Sequence, residues 1–245
     1  MLLSEQTALV TGAATRLGAE IARTLHQNGA NLIIHYRASA DDAMALVDEL
    51  NRSRPDSARA VQADLAKPED IDRLAGEACA TFDRLDILVN NASTFYPTKF
   101  GDIRPEHWDD LIGSNYRAPL FLAQACYPAL RRDGGCIINM VDIYASRPLD
   151  EHSVYCSAKA ANQMLVKSLA LELAPEVRVN GIAPGAILWP SSAEADESRL
   201  QLLRDQVPLQ RLGGSRVIAD TALFLASNDY ITGEIIRVDG GRLLK

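Results

Sequence analysis

The sequence predicts a single α/β domain of the Rossmann type, a doubly wound parallel sheet of about seven strands with helices on both faces. Three observations carry that expectation. Short apolar runs alternate with stretches of helical periodicity along all 245 residues. A glycine-bearing turn joins the first such run to the first helix. No linker, internal repeat or low-complexity segment divides a chain whose length suits one domain.

Taken in order, Gln6–Thr11 reads as a first strand and Arg16–Gln27 as a helix stopped by Gly29. Ala30–Tyr36 is a second strand. Ala43, Leu46, Val47 and Leu50 recur at helical spacing within Ala40–Arg52. A strand at Ala58–Gln62 leads through Asp64 and Leu65 to a helix opened by Pro68 and ending near Phe82. Leu85–Val89 is a buried strand that opens onto Asn90-Asn91-Ala92-Ser93. One long helix is expected from Pro105 to Arg131, kinked or restarted at Pro119. The run Gly135–Val141 is a central strand, followed by a helix from Ser153 to about Ala174. Val177–Ile182 runs into Pro184-Gly185, Leu200–Val207 and Arg216–Ser227 look helical, and Ile235–Val238 is a last strand.

Composition narrows the function. The chain is 47% hydrophobic and 23% charged, ample for a full core, and its net charge is −7. With no basic run of five residues, neither nucleic acid nor an anionic membrane is expected as a partner. Cys79, Cys126, Cys136 and Cys156 lack metal-ligand spacing, and His26, His35, His107 and His152 form no ligand pair. Free thiols and no metal site are the expectation, as in a reducing cytosol. Glu5 interrupts any apolar leader, and no apolar run approaches the ~18 residues of a membrane span. A cytoplasmic protein acting on a small molecule follows.

The chemistry concentrates between Asp142 and Lys159. Asp142 stands at the carboxyl end of the central strand, where open α/β sheets bind ligands. Tyr155 and Lys159 are four apart, hence on one helical face. An ammonium about 4 Å from a phenol favours the phenolate by roughly 4 kcal/mol at an effective dielectric of ~20, enough to bring tyrosine toward use as a general acid. At the front of the chain, the small residues of Thr11-Gly12-Ala13-Ala14-Thr15-Arg16-Leu17-Gly18 allow close approach of a pyrophosphate to the helix amides. The edge after the second strand, Tyr36-Arg37-Ala38-Ser39, has no carboxylate until Asp41. Arg37 and Ser39 suit a 2′-phosphate, so the expected cofactor is NADPH. Arg37 can also be read as a solvated residue at a strand end.

Thr11-Gly12-x3-Arg16-x-Gly18, Asn90-Asn91-Ala92, Asn115, Tyr155-x3-Lys159 and Pro184-Gly185, in this order and spacing, resemble the short-chain dehydrogenase/reductase family over essentially the whole chain. The resemblance implies that Tyr155 donates a proton, and that Lys159 lowers its pKa and holds the nicotinamide ribose. It also implies that Asn115 supports a proton-relay water. The implied cofactor contacts are Gly12, Arg16, Leu17, Gly18, Tyr36, Arg37, Ser39, Asp64, Leu65, Asn91, Ala92, Tyr155, Lys159, Pro184 and Gly185. Relatives of this kind are usually tetramers, and the helices Pro105–Arg131 and Ser153–Ala174 are plausible interface faces.

Two departures are informative. Asp142 stands where the wider family has serine, and Arg16 replaces the middle glycine of the front motif. With His35-Tyr36, Asn91-Ala92-Ser93-Thr94-Phe95-Tyr96-Pro97 and Asn139-Met140-Val141-Asp142, both departures resemble the pteridine reductases within that family. That resemblance implies shared proton delivery by Asp142 and Tyr155, with Arg16, Ser93 and Phe95 holding a pterin against the nicotinamide. Leu188 and Trp189 are expected to touch substrate from a lid at about 188–207. An ionised carboxylate beside the phenol would oppose Lys159, whereas a proton shared between Asp142 and Tyr155 suits reduction of a C=N bond. Asp142 can alternatively cap a turn, and Phe95 can fill a local apolar gap. The expected activity is reduction of dihydropterins, and possibly dihydrofolate, to the tetrahydro form. The alternatives are a carbonyl or 3-oxoacyl-thioester reductase and, outside enzymes, an NADPH-sensing regulator.

Overall fold

A computed structural model describes residues 2–188 and 197–245. Seven strands form one parallel sheet: β1 (Thr7–Val10), β2 (Asn31–Tyr36), β3 (Ala58–Gln62), β4 (Ile87–Asn90), β5 (Cys136–Met140), β6 (Arg178–Pro184) and β7 (Ile235–Val238). Their order across the sheet is β3-β2-β1-β4-β5-β6-β7, so the winding direction reverses between β1 and β4. Ligands of such sheets bind outside the carboxyl ends of the strands at that reversal.

The strands read as continuous apolar runs because both faces are covered. Ala8 and Val10 of β1, Leu32 and Ile34 of β2, and Cys136, Ile138 and Met140 of β5 join one buried cluster. The residues between them, Leu9, Ile33 and Ile137, join another on the opposite face. Helices α1 (Arg16–Gln27), α2 (Ala40–Ser53) and α8 (Ser215–Ser227) contribute to the first cluster. Helices α3 (Pro68–Thr81), α5 (Ala118–Leu130) and α6 (Ser153–Glu172) contribute to the second. Burying each large aliphatic side chain contributes about 1.5–3 kcal/mol.

The element order agrees with the sequence reading, with two differences. The helix expected over Pro105–Arg131 is two helices, α4 (Pro105–Ile112) and α5, separated by a π-helical turn at Gly113–Arg117. Pro119 has no N–H, so the carbonyl four residues back, that of Asn115, has no α-helical donor. The Asn162 amide of α6 donates to that carbonyl instead, at 2.9 Å. The interruption therefore lies upstream of the proline. The other difference is α7, which spans Glu197–Asp205 rather than Leu200–Val207. Trp189 and residues 190–196 of the expected lid lie outside the described residues. No helix among the described residues is long and apolar enough to cross a membrane.

Candidate active site

The turn after β1 is shaped for close backbone approach. Gly12 has φ +60, and a Cβ there would stand 3.1 Å from the Ala92 Cα. A Cβ on Gly18 would run into the Gly12 carbonyl and stand 2.7 Å from the Asn91 amide nitrogen. Thr11 ties this turn to the loop after β4, its hydroxyl oxygen accepting from the Asn91 and Ala92 N–H groups at 2.9 Å each. The Asn91 side chain donates to the Thr11 carbonyl at 2.8 Å. From the second strand, His35 Nδ1 accepts the Gly12 N–H at 3.0 Å, and its Nε2 lies 3.1 Å from the Ala63 carbonyl. Burial lowers the pKa of this imidazole from 6.5 to about 4, so Nδ1 remains an acceptor.

These contacts frame a cleft of about 350 Å³. Of the residues expected at the cofactor, Gly12, Arg16, Leu17, Gly18, Arg37, Asp64, Leu65, Asn91 and Ala92 line it, as does Ser93. Tyr36 packs against the core, and Ser39 precedes α2 on the exposed surface; neither lines the cleft. Pro184 and Gly185 end β6, and a Cβ on Gly185 would stand 2.6 Å from the Asp239 Cβ. That glycine serves the approach of the β7 end. Leu188 packs against the first core cluster.

Arg16 shows a feature that the residue name alone does not carry. Its φ is +54, in the left-handed region that favours glycine. A glycine at this position costs nothing; an arginine is held there at about 1 kcal/mol.

Asp142 precedes the 3₁₀ turn Ile143–Ala145 and acts in two ways at once. One carboxylate oxygen accepts the Tyr144 N–H at 2.9 Å, capping that turn. The other accepts the Tyr155 hydroxyl at 2.8 Å. Capping and pairing with the phenol were opposed readings of the sequence; a carboxylate with two oxygens does both. Burial raises the Asp142 pKa, against the bonds from Tyr144 and Tyr155 and the charges of Lys159 and Arg242. The Tyr155 phenol is also pushed up, by burial and then by Asp142.

This differs from the simple expectation that Lys159 draws the tyrosine toward its working range. The Lys159 ammonium is buried and donates to the Met140 carbonyl at 2.8 Å, lying 5.7 Å from the Tyr155 ring centre. Burial lowers its own pKa to about 8. In the protein alone, burial and the carboxylate govern the phenol.

Phe95 is 55% exposed, with one face stacked on His152 (4.7 Å between ring centres, 19° between planes). It also meets Tyr155 edge-on at 4.8 Å. The aromatic wall at the acid pair is thus made by two loops. His152, just ahead of α6, had no signal in the sequence, since its partner lies more than fifty positions away.

A chain of amides lies behind the pair. Asn90 donates to Asn139, Asn139 to Asn162 (2.8 Å each), and Asn162 to the Asn115 carbonyl. All four are buried. The Asn115 side chain donates to the Thr94 and Leu111 carbonyls at 2.9 Å and accepts the Ser93 hydroxyl at 2.6 Å. Asn115 therefore positions the Ser93 loop as well as holding the π-helical turn. Asn162 was missed because a polar residue in a helix reads as surface until the strand beneath it is known.

Comparison with known proteins agrees with this geometry. A family model described as Enoyl-(Acyl carrier protein) reductase matches residues 12–242. Pteridine reductase 1 of Leishmania tarentolae is 40% identical, over 96% of this chain and 95% of its own. The 3-oxoacyl-[acyl-carrier-protein] reductase FabG of Staphylococcus epidermidis (strain ATCC 12228 / FDA PCI 1200) is 36% identical, over 96% of this chain and 98% of its own. Among solved structures, a blue fluorescent protein from a metagenomic library, in complex with NADPH, superposes with a TM-score of 0.93 at 33% identity, covering 99% of each chain.

Proposed function

The chain belongs to the short-chain dehydrogenase/reductase family, and on that premise we propose that this NADPH-dependent oxidoreductase is a pteridine reductase acting on dihydropterin rings. The observation that carries the substrate class is the Tyr155 hydroxyl bonded at 2.8 Å to a half-buried Asp142 whose pKa is raised. Such a pair holds a proton between two oxygens and can deliver it to a ring nitrogen.

The residues present fit the cofactor. Gly12 and Gly18 let the turn pack closely against Asn91 and Ala92 at the edge of the cleft, and Arg37 lines the same cleft from the end of β2, with no acidic residue after it in sequence until Asp41. NADPH supplies a hydride when bound. Arg37 would hold its 2′-phosphate, the Gly12–Gly18 turn its pyrophosphate, and Lys159 its ribose. Phe95 offers a flat apolar face to a heterocycle, and Ser93 and Arg16 offer polar contacts at its rim. Tyr155, its hydroxyl bonded to Asp142, passes its proton to ring nitrogen, and solvent returns a proton to the Asp142–Tyr155 pair. Catalysis by positioned proton transfer of this kind contributes about 10²–10⁴-fold.

NADPH oxidation with dihydrobiopterin, dihydromonapterin and dihydrofolate, run beside an acetoacetyl thioester, tests the reading. Turnover of the pterins and little of the thioester is expected. The reverse preference would establish the second reading, a 3-oxoacyl-thioester reductase, which the similarity to FabG favours. Tetrameric assembly in the cytoplasm belongs to the same proposal. Trp108 of α4, Phe121 of α5 and Met164 and Leu171 of α6 are exposed apolar residues on the helices suggested as interfaces.

A further inference from the structure

We propose that Arg242, on the C-terminal turn, is a positioning residue for proton transfer. Its guanidinium, fixed over Tyr144, places a lasting positive charge behind Asp142 and weakens the hold of the Asp142–Tyr155 pair on its proton. The inference rests on the reading of that pair as the proton source and deepens it.

The chain after β7 is shaped by Asp239. Its carboxylate accepts the Gly241 N–H at 2.9 Å and the Leu243 N–H at 2.8 Å, and its main-chain carbonyl accepts the Arg242 N–H at 3.1 Å. These bonds hold the 3₁₀ turn Arg242–Leu244 against the connection that follows β5. There the Arg242 guanidinium lies 5.7 Å from the Tyr144 ring centre and donates to the Gln206 side chain, just beyond α7, at 2.7 Å. Tyr144 is the residue whose N–H bonds Asp142. Arg242 meets Tyr144 at its ring and Asp142 meets it at its backbone, so one residue separates the cation from the carboxylate.

The charge is not cancelled where it stands. Gln206 is a neutral partner, and among the described residues Arg242 makes no ion pair with a carboxylate side chain. Arg242 shares a cavity of about 410 Å³ with Arg147, Lys245 and one acid, Asp205, whose carboxylate accepts from Gln201 within α7. Asp239 is engaged by N–H groups and by Arg237 at 3.7 Å.

The titratable and charged groups that face Asp142 are Tyr144 on its own turn, Tyr155 and Lys159 of α6, and Arg242 of the C-terminal turn. No second carboxylate is among them. Burial raises the Asp142 pKa, and the two cations oppose that rise. They differ in how long they last. Burial lowers the Lys159 pKa to about 8, so this ammonium gives up its charge near the upper end of the working range. A guanidinium stays protonated throughout. Arg242 is therefore the cation that remains beside the pair when Lys159 is neutral.

The test reads the pair directly. Ligand-free protein carrying aspartate labelled at its side-chain carboxyl carbon is titrated by carbon NMR, as wild type, Arg242→Gln and Arg242→Lys. The Asp142 signal is assigned by its loss in Asp142→Asn. Arg242→Gln is expected to raise the Asp142 midpoint by about half a pH unit or more, the effect of one unit charge lost near a partly solvated carboxyl. Arg242→Lys keeps the charge and should recover most of that shift. The pH profile of kcat for dihydrobiopterin at saturating NADPH should follow the same order, its alkaline limb moving up in Arg242→Gln and mostly back in Arg242→Lys. An unchanged midpoint in Arg242→Gln overturns the proposal. Equal shifts in the two variants also overturn it, because they would report lost fit rather than lost charge. A midpoint that moves while the kcat limb stays in place overturns the role in turnover. If no pterin is reduced, the substrate assignment fails, and the midpoint alone then upholds or overturns the action of Arg242 on the pair.

Discussion

Acid should loosen the cofactor turn through one imidazole. His35 is neutral in the fold because burial lowers its pKa from 6.5 to about 4, and its Nδ1 receives the Gly12 N–H. A lowered pKa means that the unfolded chain takes up a proton first as the pH falls. The stability from this group is therefore complete above about 6.5 and is lost as the pH falls from there through about 4. At about 1.4 kcal/mol per pH unit, that interval amounts to roughly 3 kcal/mol. His26, whose pKa burial also lowers to about 4, acts in the same direction, so the wild-type slope alone does not isolate His35. Urea unfolding of the ligand-free protein between pH 7 and pH 4 should be compared with that of His35→Asn. The variant keeps an acceptor near Nδ1 but has no proton to take up. The wild type should lose about 3 kcal/mol more across that range than the variant. Parallel pH dependences would refute the burial argument, because all other titrating groups are common to both proteins.

Tyr155→Phe should lose turnover by at least about 100-fold with pterin substrates. Asp142→Ser should lose pterin reduction similarly while the Kd for NADPH, read by fluorescence titration, stays near its wild-type value; retained activity in the serine variant would count against a shared proton. Arg37→Ala should weaken NADPH much more than NADH, by about tenfold or more for a lost charge-assisted phosphate contact, and equal weakening would dismiss the 2′-phosphate assignment. Arg16→Gly should raise the thermal midpoint by relieving a positive φ, a gain of about 1 kcal/mol, and lower kcat/KM. A variant of unchanged or lower stability would mean that the backbone at this turn is not strained by its side chain.

Much of the fold was legible because its determinants are local. The apolar runs that became β1, β4 and β5 are continuous, as strands buried on both faces must be, and Pro68 and Pro105 open helices where a missing N–H is harmless. The long helix around Pro119 was read less well. A proline announces an interruption, but which carbonyl escapes and what claims it depends on Asn162, which sits on another helix. Tyr36 ends β2 and Ser39 stands just ahead of α2, yet Tyr36 packs against the core and Ser39 lies on the exposed surface. Lys159 stands one turn from Tyr155 as its spacing required, but its ammonium is bonded to the Met140 carbonyl.

By itself, then, the sequence determined the parallel sheet, the glycine turn before α1, Arg37 at the end of β2, and Asp142, Tyr155 and Lys159 within one strand–turn–helix unit. Each depends on spacing along one segment, and spacing is written in the chain. The tertiary structure alone decided that Asp142 both caps its turn and binds Tyr155, that His152 backs Phe95, that His35 supports Gly12, and that Arg147, Arg242 and Lys245 share one cavity. Those contacts join residues brought together only by packing, and the burial that sets their charges exists only once the packing is complete.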